Sequence, residues 1–332
     1  MNRKQIIKLS QSGRFGGKPL SGQLVETHIS WVILSEEYAF KIKKPMKYSF
    51  LDFSTLEKRR QVCEKELMLN RRLTDIYLNV LAITEKDGCY FLGEGGQVLD
   101  YALQMKKLEA SRKMDELIRG NHIRSEDISM LAEEIARFHQ YATVIKTPFD
   151  KADFQAAFND LQTISDWVLK RLGEKYAQLI ERAIHYSDKF IKKHEQLFSE
   201  RITQGYIRDV HGDLHAKNIF IYQKPIIFDC IEFNDKFRQI DVINEVAFFC
   251  MDLESFGKWE MSETFMKQYL DLFPCIGKKE EEQLFIYYKS YRANVRAKVN
   301  ALRAMQAEDE QTSKRYEEEV MKYLKLMDRY MG

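Results

Sequence analysis

Along residues 24–43, LVETHISWVILSEEYAFKIK, apolar and β-branched residues gather on both sides of polar Glu36-Glu37, and this pattern predicts strand, turn, strand. Pro45 closes that small sheet. The next run, LEKRRQVCEKELMLNRRL, changes to a helical period, with Asp52 or Ser54 as its cap and Leu56, Cys63, Leu67, Asn70 and Leu73 on related faces. Strands return at residues 80–84, 89–92 and 101–105, the first two joined through Lys86-Asp87-Gly88.

After Met105 the pattern turns helical, first in KKLEASRKMDELI and then in LAEEIARFHQYA, where Leu131, Ile135 and Phe138 line one face. Two or three amphipathic helices are expected over residues 154–199. The run breaks at residues 206–228, where two short apolar strands flank a loop, and resumes at Asp241 almost to Gly332. Leu284, Tyr288, Tyr291, Val295, Val299 and Leu302 recur at steps of three and four and read as a packing stripe, while KKEEEQ and AEDEQTSKRYEEE read as solvated helix faces. The pattern therefore predicts an α+β chain: a small antiparallel sheet with one long helix over residues 1–105, and a mainly helical part over residues 106–332.

The composition narrows the class. With 52 Lys plus Arg against 50 Asp plus Glu, the formal charge of +2 gives no global basic field for nucleic acid or anionic lipid. Five dispersed cysteines without CxxC spacing imply neither a disulfide framework nor a zinc site. No run of eighteen apolar residues occurs, and the first residues carry charge and glycine where a signal peptide needs an apolar stretch. The expectation is a cytoplasmic chain with reduced thiols, no membrane span, no nucleic acid and no protein partner.

Candidate chemistry gathers where the helices break, in VHGDLHAKNIFIYQKPIIFDCIEF. Asp213 precedes Asn218 by five residues, and Asp229 ends the following apolar strand; a hairpin of this size folds Asp229 back beside the loop. An acid, an amide and a second acid then converge, as phosphoryl transfer requires: Mg2+ takes hard oxygen ligands and keeps several waters, so one carboxylate, one amide and nucleotide phosphates suffice. His211, after an apolar residue, reads as a packed brace for the loop, and His215 is evenly divided between brace and site.

HGDLHAKN resembles the catalytic loop of aminoglycoside phosphotransferases and choline kinases, the counterpart of H-R-D-x-x-x-x-N in protein kinases. The resemblance implies a protein-kinase-like two-lobed fold, with residues 1–105 as N-lobe and 106–332 as C-lobe. It makes Asp213 the catalytic base, Asn218 and Asp229 the Mg2+ ligands, and Asp241 a structural support of the loop. Asp229 lacks the glycine of D-F-G, which favours small molecules over proteins as acceptors. Glu232 is a candidate for the acceptor or a second metal, with a surface carboxylate as the plain alternative; for a cationic acceptor Asp235, Asp252 and Glu254 join it. In AFKIKK, Lys41 resembles the lysine that holds the nucleotide phosphates, with Lys43 on the same strand face as its rival, and Glu66 resembles the helix glutamate that pairs with it. Ser30, with Thr27 and His28, would cover the phosphates in place of a glycine-rich loop, and the backbone from Met105 and Lys106 to Leu108 would bind adenine.

The stretch KKPMKYSFLDFSTLEKRR with FDCIEFND resembles a bacterial branch of these enzymes, many of which carry a C-terminal P-loop domain. None is expected here, because GGKPLSG lacks the glycine and hydroxyl residue of a Walker motif. The reading is an ATP- or GTP-dependent, Mg2+-dependent phosphotransferase acting on a small-molecule hydroxyl; the alternatives are a nucleotide-binding pseudokinase-like regulatory module or a protein kinase.

Overall fold

Phe40 and Ile42 turn to one face of a sheet and are fully buried, while Lys41 and Lys43, one residue out of phase, take the other face. This strand lies in the first of two compact units of the computed structural model, which describes residues 1–48, 51–93 and 95–332. One unit comprises Met1–Leu117 with Lys217–Arg238, the other Ile118–Ala216 with Gln239–Gly332.

The first unit opens with helix α1 (Arg3–Ser12), capped by Asn2, and continues in strands β1 (Gly13–Phe15), β2 (Lys18–Leu20), β3 (Gln23–Glu26), β4 (Ser30–Leu34) and β5 (Tyr38–Lys43). Helix α2 (Leu56–Asn70) follows, then β6 (Tyr77–Lys86), β7 (Cys89–Leu92) and β8 (Gln97–Lys106). The strands form one sheet in the order β2-β1-β7-β6-β8-β5-β4-β3. It is mixed rather than purely antiparallel, because β1 runs parallel to β7. Ile6 and Leu9 of α1 pack with Trp31, Ile33, Phe40, Ile42, Ile83 and Leu92 on one face. Neither α1 nor the β1–β2 hairpin belongs to the sequence reading, and the predicted first strand is split by a turn at residues 27–29.

Helix α2 is capped by Thr55, whose hydroxyl accepts from the Lys58 N–H at 3.2 Å; Asp52 instead takes Ser54 and Lys58. Its buried face is Arg59, Cys63, Glu66, Leu69 and Asn70, a mostly polar stripe. Arg59 donates to Asp100 of β8 at 2.8 Å, so an ion pair replaces apolar packing there. Of the KKPMKYSFLDFSTLEKRR stretch, Ser49 and Phe50 lie outside the described residues. Past β8 the chain makes a 3-10 turn at Ala110–Arg112, so helix begins only with α3 (Met114–Arg119). The hairpin Ile219–Phe220 with Ile226–Ile227 completes the unit.

The second unit is helical: α4 (Ser125–Tyr141), α5 (Lys151–Asn159), α6 (Ser165–Leu172), α7 (Glu174–Lys193), α8 (Glu195–Thr203), α9 (Val242–Ser255), α10 (Trp259–Leu272), α11 (Lys279–Met305) and α12 (Glu310–Met331). A two-strand ribbon pairs Ile207–Asp209 with Gln239–Asp241, just ahead of the loop and of α9. Residues 242–254 of α9 are buried without exception, as befits a central helix. In α11 the buried stripe is Leu284, Tyr288, Ala293, Ala297, Ala301 and Ala304, rotated from the expected one, and Leu302 is exposed.

Candidate active site

In the first unit, strand parity and helix period bring five charges into line. Lys41 Nζ lies 2.7 Å from Glu66 Oε1 and 2.5 Å from Asp229 Oδ1; Lys43 Nζ lies 2.6 Å from Glu66 Oε2 and 2.5 Å from Glu232 Oε1. Burial alone would lower both lysine pKa values. The charges of Asp229 and Glu66 outweigh it at Lys41, which is held well above the ordinary range, and those of Glu232 and Glu66 raise Lys43. Burial pushes Glu232 up against the pull of Lys43, and pushes the neighbouring Cys63 thiol up to about 12.

Asp229 is presented by strained backbone. Its φ of 66° is left-handed, a region that costs a non-glycine residue about 1 kcal/mol or more. Local hydrogen bonds hold it there: the Asp229 N–H donates to the Tyr77 hydroxyl at 3.0 Å, and the Cys230 N–H to Asn70 Oδ1 at 2.9 Å. The Phe228 N–H donates to the Asn218 carbonyl at 3.1 Å, so the hairpin sets Asn218 and Asp229 at its two ends. The Asp229 side chain is 40% exposed. A carboxylate and an amide oxygen fit Mg2+ completed by phosphates and water; among the described residues no group of three or more His, Cys, Asp or Glu could hold a metal. Met105 and Lys106 end β8: Met105 is buried, and the Lys106 N–H donates to the Ile76 carbonyl. Ser30 starts β4 opposite Lys43, buried and with no partner for its hydroxyl among the described residues.

In the second unit the loop of residues 211–216 is fixed at both ends by α9. Glu245 Oε1 accepts from the Gly212 N–H at 2.5 Å, and Asp252 Oδ2 from the Ala216 N–H at 2.8 Å. The Gly212 carbonyl accepts from Arg292 of α11 at 3.2 Å, and Glu245 Oε2 is 2.7 Å from His139 Nε2. His211 is fully buried, its Nδ1 accepting from the Asp213 N–H at 3.2 Å. His215 Nε2 stands 3.3 Å from Asp213 Oδ2. Burial raises the Asp213 pKa, but His215, Arg296 and His211 outweigh it and hold this carboxyl well below the usual range. Asp241 caps α9 and pairs with Arg201 through both oxygens, at 2.8 and 2.7 Å; the bonds to the loop come from Glu245 and Asp252.

The four acids set aside for a cationic acceptor are already engaged: Glu232 by Lys43, Asp235 by Lys65 and Arg238, Asp252 by the loop, and Glu254 by Ser262, Lys289 and Tyr330. Glu245, Arg292 and His139 escaped the sequence reading. A signal existed: Glu245 and Asp252, seven residues apart, share one face of a mostly apolar helix.

No protein-family model matches the chain. Uncharacterized proteins of Mycobacterium bovis and Mycobacterium tuberculosis are 31% identical over 299 residues, 86% of this chain and 56% of theirs. The chain thus spans about half the length of the curated relatives it matches. Among solved structures, the AMP-bound complex of spectinomycin phosphotransferase matches at a TM-score of 0.55, with 11% identity over 99% of this chain and 98% of that one. A choline/ethanolamine kinase family protein from Mesorhizobium loti matches at 0.51, with 13% identity over 98% of each chain. The chain has the kinase-like fold. The N-lobe of that fold is the mixed sheet with its helices, and its C-lobe is mainly helical. No helix among the described residues is long and apolar enough to cross a membrane.

Proposed function

We propose that this chain is an ATP- and Mg2+-dependent phosphotransferase that moves the γ-phosphoryl group to a hydroxyl of a small molecule, with residues 1–105 binding the nucleotide and 106–332 carrying the catalytic loop, the metal ligands and the acceptor pocket. The observation that carries the reading is Lys41, whose one ammonium bridges Glu66 and Asp229. That contact supports a role for Lys41 as a phosphate-binding cation next to a candidate metal carboxylate. The two kinase-like structures, one solved with AMP, support the class. A cytoplasmic setting is supported by five free cysteines.

In this reading Lys41 grips the α- and β-phosphates, and Glu66 keeps its ammonium in place. Asn218 and Asp229 would hold Mg2+, which when bound neutralises charge on the phosphate oxygens. Asp213 is ionised at neutral pH, since its pKa is held low, and accepts a hydrogen bond from the acceptor hydroxyl. As that oxygen bonds to the γ-phosphorus, the bond from phosphorus to the bridging oxygen breaks, ADP departs with the electron pair, and the hydroxyl proton passes to Asp213. Positioning and electrostatics supply most of the rate.

The test is to incubate the protein with γ-labelled ATP and Mg2+ in a metabolite pool, comparing wild type with Asp213→Asn. Label should reach a small molecule or water, and the variant should lose about 10²- to 10⁴-fold in turnover while keeping its thermal shift with Mg2+ and ATP. Equal rates of hydrolysis, with no labelled metabolite separating the two proteins, would refute the assignment; label on protein would favour the protein-kinase reading.

A further inference from the structure

The five charges form a chain: Asp229, Lys41, Glu66, Lys43, Glu232. Side-chain exposure falls along it from 40% at Asp229 and 12% at Lys41 to 0% at Glu66 and Lys43, then 4% at Glu232. One end is open to solvent and the other is sealed, with the Phe53 ring 5.5 Å from the Lys43 ammonium. Glu66 sits between the ends and gives one oxygen to each lysine.

We infer that Lys43 and Glu232 form a positioning pair that fixes the Glu66 carboxylate, so that Lys41 keeps its aim when Asp229 turns from it to a ligand. The inference rests on the nucleotide reading above, and reassigns Glu232 from acceptor or metal contact to support. Asp229 can leave its contact because water reaches it. Lys41 then retains Glu66 alone, and a carboxylate with one partner is free to rotate and follow the lysine. Lys43 opposes this through its ion pair with Oε2 at 2.6 Å, and Glu232 in turn pairs with Lys43. The segment carrying Glu232 is itself anchored, since the Cys230 N–H is bonded to Asn70 and the Ile231 carbonyl accepts from Arg238 at 2.9 Å. Stability alone does not account for the pair. Buried ions return little over packed apolar groups of the same volume, and their attested use is to specify one geometry.

The experiment uses the full chain with Lys43→Met/Glu232→Gln together, which removes both charges and strands neither. A second variant, Glu232→Asp, keeps the charge and withdraws it by one methylene. Two readouts are taken: the rate at which Lys41 is acetylated by pulsed acetic anhydride, followed by mass spectrometry, and KM and kcat for ATP hydrolysis with Mg2+. The expected result is acetylation of Lys41 several-fold faster in both variants and KM for ATP about tenfold higher in the double variant, a loss of about 1.4 kcal/mol in binding, with a smaller change in kcat. Glu232→Asp should fall between wild type and the double variant. Wild-type acetylation of Lys41 in a folded variant overturns the inference. If wild type shows no response to Mg2+ and ATP, the proposed function fails instead, and the acetylation rates still decide whether the pair holds Lys41.

Discussion

Replacing each lysine of β5 by methionine separates two roles that the strand places two residues apart. Lys43→Met removes the cation paired with Glu232 at 2.5 Å, and the Glu232 side chain is 4% exposed, so a buried carboxylate loses its ion-pair partner. Breaking a buried pair from one side costs about 3–5 kcal/mol. Lys41→Met strands nothing: Glu66 keeps Lys43, and the Asp229 side chain is 40% exposed, so a loss of about 1 kcal/mol is expected, the scale of one net polar contact. The deficit of Lys43→Met also depends on pH. Without Lys43 the folded-state pKa of Glu232 lies above its unfolded value. Its protonated form is tolerated below the unfolded pKa, and stability falls as pH rises through the folded one, so the variant is closest to wild type near pH 5 and furthest at pH 8. Urea unfolding without nucleotide, followed by Trp31 of β4 in a background where Trp167 and Trp259 are phenylalanine, reports on the sheet itself. A Lys43→Met protein within about 1 kcal/mol of wild type at pH 8, or a Lys41→Met protein that is the weaker of the two, would show that the charge chain is wrongly drawn.

Asp229→Ala should abolish the dependence of ATP-induced thermal stabilisation on Mg2+; a response to the metal equal to that of wild type in a titration would remove Asp229 from the metal site. Burial raises the Glu245 pKa, but His139 and the Gly212 N–H outweigh it and depress it, so its contribution is present above the ordinary glutamate range and lost as pH falls through the folded value. His139→Phe should therefore move the midpoint of acid unfolding to higher pH, and an unmoved midpoint by circular dichroism would contradict that linkage.

The residues with the strongest chemistry were legible in the sequence because they are polar at intervals that strands and hairpins turn into proximity. Lys41 and Glu66 could be paired through their resemblance to the lysine and helix glutamate of the kinase-like family, and Asn218 with Asp229 from the length of a hairpin. The buried face of α2 was not legible. Arg59, Glu66 and Asn70 are satisfied by Asp100, by two lysines and by the Cys230 N–H, partners distant in sequence that hydropathy cannot register. The β1–β2 hairpin left a local trace in Gly16-Gly17, whose φ values of 57° and 75° are those of a tight turn. In α11 the larger residues drew the stripe toward Leu302, whereas the buried line runs through alanines that let a neighbouring helix approach closely. For α9, the pattern marked a helix but gave no reason for Glu245 and Asp252, which make sense only once the loop backbone is seen to need acceptors.

The first unit is not continuous in the chain: Lys41 and Lys43 meet Asp229 and Glu232 across separations of 188 and 189 residues. At a ribosomal rate of about 5–20 residues per second, both lysines emerge roughly ten to forty seconds before their carboxylate partners exist. During that interval the sheet can form its strand pairs, but the sealed end of the charge chain stays open to water, and Lys43 has only Glu66 to hold. The sheet can therefore be hydrogen-bonded early in synthesis while its lysine face stays unfinished until residue 232 has been made.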